Sequence, residues 1–92
     1  MGRNMRIKDT IKVLGKTYEV KFIEGLADYG STDFDSQIIL VKDGMTEDNK
    51  ISTLLHELIE IWNETGNLNL PHQTIQTLEA GIFQIIKDND LC

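Results

Sequence analysis

The run His56-Glu57-Leu58-Ile59-Glu60 combines residue types at a spacing that suits metal chemistry. On a helix, positions four apart stand one turn above each other on the same side. An imidazole and a carboxylate placed in this way can hold one ion. The adjacent carboxylate, Glu57, can then take a proton from a water that the metal acidifies. Hydrolysis of a peptide bond is the reaction such a set performs when its donors are complete. The same run also fits the solvated face of a helix in an acidic chain.

Further donors follow from projecting the helix at ~100° per residue. With His56 at zero, Glu60 falls near ~+40° and Asn63 near ~−20°, a single stripe beside the core. Glu57 and Glu64 fall near ~+100° and ~+80°, at the outer edge of that stripe. Trp62 projects into the core. Downstream, His72, Gln76, Glu79 and Phe83 stack along one edge of a second helical pattern. Antiparallel packing through the apolar sides would bring the two stripes together and make His56, Glu60, His72 and Glu79 ligand candidates. His72 and Glu79 lie about 10 Å apart along a helix rising 1.5 Å per residue, too far to meet one ion at ~2 Å. One is therefore a ligand, and the other a neighbour of the ligands or a proton donor. Asn63 is a hydrogen-bonding neighbour of a ligand or a helix-end residue.

These side chains need a scaffold. Residues 10–42 read as a sheet, with strands expected at Thr10 to Val13, Thr17 to Phe22, Tyr29 to Phe34 and Gln37 to Lys42. A glycine-bearing turn, Leu14-Gly15-Lys16, joins the first two. Thr46 is a good N-cap, and Glu47 and Asp48 favour the dipole of a motif helix over 46–65. Gly66-Asn67 ends it. Pro71 opens a second helix over 71–88, with Ile75, Leu78, Ile82, Ile85 and Ile86 on its core side. Residues 1–9 are expected to be partly flexible. The result is one α+β domain: a three- or four-stranded antiparallel sheet covered on one face by two packed helices.

Composition narrows the partners. The 92 residues carry 15 acidic against 9 basic side chains, a net charge of −6. No basic stripe is present to displace counterions from a phosphate backbone, so nucleic acid is not an expected ligand. A protein or peptide is. No segment approaches ~20 apolar residues, so no membrane span is expected. The lone cysteine, Cys92, cannot form an internal disulfide. Without a signal-peptide pattern, the expected location is the cytoplasm.

The motif, the downstream Glu79, the Leu14-Gly15-Lys16-Thr17-Tyr18 hairpin and the Leu78-Glu79-Ala80-Gly81-Ile82-Phe83-Gln84 ending together resemble a known arrangement. It is the gluzincin-like layout of small zincin domains. The nearest likeness is to short phage and prophage proteins related to the ImmA/IrrE-type metallopeptidases. The resemblance implies a zincin-like fold, with His56 as first zinc ligand, Glu57 as general base and Glu79 as third ligand. Glu60 stands where the family has a second histidine. One imidazole with two carboxylates is a harder donor set, so Zn2+ fits but Mn2+ or Fe2+ competes, and water is harder to acidify. Two functions are compatible with this pattern. One is a metal-dependent peptidase; the other is a non-catalytic protein-binding module of a phage or mobile element on the same scaffold.

Overall fold

A computed structural model describes residues 9–90; the expectations for residues 1–8 and for Cys92 lie outside them. Strand β1 (Thr10–Val13) turns through Leu14 and Gly15 into β2 (Lys16–Ile23). Both turn residues have positive φ, 50° and 82°, which matches the right-handed twist of the paired strands. Strands β3 (Gly30–Asp33) and β4 (Ile38–Lys42) follow. The Asp33 carboxylate accepts the amides of Asp35 and Ser36 at 3.1 Å each and closes the connection between them. That backbone bonding, Ser36 foremost, holds the Asp33 carboxyl below its ordinary range.

The sheet order is β1-β2-β4-β3. Two pairings are antiparallel, but β2 and β4 run parallel, with Glu19 opposite Ile38 and Ile23 opposite Lys42. The expected all-antiparallel sheet is thus a mixed one. Alternation along a strand specifies which side chains face inward and leaves the identity of the neighbouring strand open. Here β4 enters between β2 and β3 and leaves β3 at the edge.

Helix α1 (Glu47–Gly66) starts where Thr46 Oγ1 accepts the Asn49 amide at 3.2 Å. It ends at Asn67, whose left-handed conformation lets Asn67 and Leu68 amides reach the carbonyls of Glu64 and Asn63, an ordinary way to satisfy a helix C-terminus. α1 lies across β1, β4 and β3. Leu54 and Ile61 join Val13, Tyr18, Val20, Ile39 and Val41 in the core, with Ile11, Phe22, Met45 and Leu58 around them.

Helix α2 (His72–Asp88) packs on α1 and, among the described residues, makes no contact with the sheet. The two helices therefore do not cover the sheet side by side: α1 is the middle layer. The helices run antiparallel, and Lys87 near the end of α2 pairs with Asp48 near the start of α1 at 2.7 Å. Ile75 is buried, but Leu78 and Ile85 are exposed, contrary to their expected place in the core. Trp62 is 43% exposed, a second correction. No helix among the described residues is long and apolar enough to cross a membrane.

Candidate metal centre

Three elements build the candidate site. α1 supplies His56 and Glu60 one turn apart, the first residue of α2 supplies His72, and the edge strand β3 forms the facing wall. One donor atom from each of His56, Glu60 and His72 lies within 4.8 Å of the others. His56 Nε2 stands 3.4 Å from Glu60 Oε2. Donors bound to one tetrahedral ion at ~2.1 Å would be separated by about 3.4 Å, so this pair already has the required spacing. The His56 and His72 rings meet edge to face, with centroids 5.8 Å apart. Two imidazoles and a carboxylate are an ordinary donor set for zinc.

Glu79 is placed differently from the other candidates. Its Oε1 lies 2.9 Å from His56 Nδ1, and its Oε2 accepts the Ser52 hydroxyl. It thus backs His56 on the side away from Glu60, while His72 stands with the donors. The seven-residue separation on α2 is resolved by using the two side chains in two different ways.

Glu57 lies inside the protein. Its residue exposure is 8%, and its Oε1 accepts the Thr32 hydroxyl at 2.7 Å. Burial pushes its carboxyl above the ordinary carboxylate range. The Thr32 bond and His56 oppose that rise, and the nearby Glu60 and Glu79 add to it. The projection put Glu57 at the outer edge because it assumed one buried side. α1 is covered on two sides, and β3 closes over the Glu57 position.

Strand β3 approaches α1 closely enough to require glycine. A methyl group on Gly30 would lie 2.6 Å from Thr53 Cγ2, 3.1 Å from Leu40 O and 3.3 Å from Glu57 Oε2. Between β3 and α1 runs an open cleft of about 370 Å³. Its walls include Thr32 and Phe34 on one side and His56, Glu57, Glu60 and Glu64 on the other. A second hollow of about 200 Å³ lies beyond Glu79, beside Tyr29, Asn49 and Ser52. Asn63 lines the main cleft, but its side-chain oxygen accepts the Leu70 amide at 2.9 Å, which ties down the loop between the helices.

Neither Thr32 nor Ser52 is among the site residues expected from the sequence. Ser52 was detectable, since it lies one turn before His56 on the same stripe. Thr32 carried a weaker signal, a polar residue on the inward side of a strand. Comparison with protein families, curated proteins and solved structures finds no match to this chain.

Proposed function

We propose that the chain is a metal-dependent hydrolase of peptide-like substrates, with His56, Glu60 and His72 holding a divalent ion. The observation that carries this reading is the convergence of three donors from two helices within 4.8 Å, beside a buried carboxylate. Zn2+ is the preferred ion, with Mn2+ or Fe2+ as competitors at an oxygen-bearing site. Such an ion, when bound, polarises a carbonyl and acidifies water. The chain's own groups do the rest. Glu57, its carboxyl raised by burial, is a stronger proton acceptor than an exposed carboxylate and can take up a proton and return it. Thr32 fixes one Glu57 oxygen and leaves Oε2 for that exchange. Among the described residues β3 pairs with β4 on one side alone, so its outer edge can bind an extended chain through main-chain hydrogen bonds. We assign the protein to the cytoplasm on the same reading.

The test begins with metal content by mass spectrometry on protein purified without chelator. One equivalent is expected in the parent, lost in His56→Ala and His72→Ala. Zinc at a hundredfold excess over its Kd should stabilise folding by about 2.7 kcal/mol, and so raise Tm by roughly 10 °C or more in a domain this small. A parent that folds and neither carries nor responds to metal would overturn the proposal. Glu57→Gln should retain the ion and lose hydrolysis of a peptide library.

A second reading, a non-catalytic protein-binding module of a phage or mobile element, draws on the exposed Trp62, Leu78 and Ile85. Aromatic and aliphatic side chains of this kind anchor protein interfaces. Partner binding that survives Glu57→Gln, with no hydrolysis in the parent, would favour it.

A further inference from the structure

We infer that Glu79, held by Ser52, is the positioning residue of this site and not one of its ligands. It fixes His56 as the tautomer protonated at Nδ1, so that the bare Nε2 faces Glu60 and His72. The inference rests on the metal-centre reading for its purpose, though the contact itself can be tested without metal.

The geometry separates the two imidazole nitrogens. Nδ1 lies 2.9 Å from Glu79 Oε1, the distance of a charge-assisted hydrogen bond. Nε2 lies 3.4 Å from Glu60 Oε2, and one nitrogen of His56 gathers with Glu60 and His72 within 4.8 Å; with Nδ1 engaged by Glu79, Nε2 is the nitrogen left for that group. A carboxylate has no proton to give, so the Nδ1–Glu79 bond requires a proton on Nδ1. In a neutral ring, that leaves the lone pair on Nε2. This lone pair is what a metal needs, and a carboxylate behind a ligating histidine both orients the ring and raises its donor strength.

Glu79 is itself held in place. Its second oxygen takes the Ser52 hydroxyl, and Ser52 sits one turn before His56 on α1. Both partners of Glu79 thus come from α1, while Glu79 comes from α2. His72 comes from α2 as well, nearly two turns earlier. Seating α2 on α1 therefore places a donor and aligns another donor in the same movement. A protonated ring bridging Glu60 and Glu79 as a plain ion pair would occupy the same positions, and this is the alternative the experiment must exclude.

Long-range 1H–15N correlation spectra of metal-free protein in mildly alkaline buffer, where free imidazole is neutral, read the tautomer directly. His56 is expected to carry its proton on Nδ1 alone. Glu79→Ala should move the proton to Nε2. Glu79→Gln keeps a carbonyl that can accept from Nδ1 and should preserve the tautomer. Zinc titration supplies the second readout. Glu79→Ala and Ser52→Ala should weaken zinc binding, by about 10–100-fold for the former, with one equivalent still bound, whereas His72→Ala loses stoichiometric binding. If Glu79→Ala fails to fold, Glu79→Gln and Ser52→Ala carry the test.

His56 protonated at Nε2 alone or at both nitrogens in the parent would overturn the inference. So would loss of stoichiometric zinc in Glu79→Gln equal to that in His72→Ala, which would make Glu79 a ligand. A Glu79-dependent Nδ1 tautomer in a parent that binds no zinc would uphold the orienting contact and overturn the metal centre.

Discussion

Glu57 links burial to pH. Its carboxyl is raised chiefly by desolvation, against the Thr32 hydrogen bond and His56 and in concert with Glu60 and Glu79. The folded state therefore holds a proton more tightly than the unfolded chain does. Between the unfolded carboxyl value and the raised folded one, the native state binds more protons, so stability falls as pH rises through that window. Below both values the contribution is fully present. Glu57→Gln should flatten this slope, matching the parent in acid and exceeding it at neutral pH, as read by urea unfolding at a series of pH values. An unchanged slope would show that Glu57 is not the titrating group. At this scale the sequence was most legible along α1, where helical periodicity alone brings His56 and Glu60 together. The inward place of Glu57 and the outward place of Trp62 were not legible, because a single-core projection cannot represent a helix covered by a sheet on one side and a helix on the other.

Each strand and helix was readable from alternation, turn residues and caps, and the remaining strain lies at the joints. Leu14 is 61% exposed and has a φ of 50°, a left-handed conformation that costs a non-glycine residue about 1–2 kcal/mol. Leu14→Asn would create the Asn-Gly turn that this geometry favours, and should stabilise the protein by roughly 0.5–1 kcal/mol. A lowered urea midpoint would mean that the leucine side chain contributes more than the turn costs. Gly30→Ala tests the opposite joint. The added methyl has Thr53 and the Leu40 carbonyl in its way, so a loss of about 1–3 kcal/mol is expected, together with displacement of the Thr32–Glu57 bond. Unchanged stability would show that β3 can lift from α1 freely. The need for glycine here was hidden in the sequence, since it arises from a helix that meets the strand only in the folded protein.

For the molecule as a whole, layer order follows from where apolar area is available. α2 buries Ile75, half-buries Ile82, Phe83 and Ile86, and leaves Leu78 and Ile85 exposed, so a narrow apolar seam joins it to α1, with the Glu79 contacts to Ser52 and His56 beside it. The expected pair of helices over one sheet face gave the right elements and the wrong stacking. Hydrophobic spacing shows that a helix has a buried side and does not show what buries it. The parallel seam between β2 and β4 bears on how fast this arrangement can form. In a hairpin, pairing starts at the turn and closes step by step with little loss of chain entropy at each step. Across the β2–β4 seam every partner lies 19 residues further along the chain, so no short loop exists from which to begin. The β3–β4 hairpin is expected to form first and dock as a unit, meeting the full closure cost before the first seam bond forms. Stopped-flow refolding should therefore slow on Val20→Ala or Ile39→Val, whereas Ile75→Val should mainly hasten unfolding.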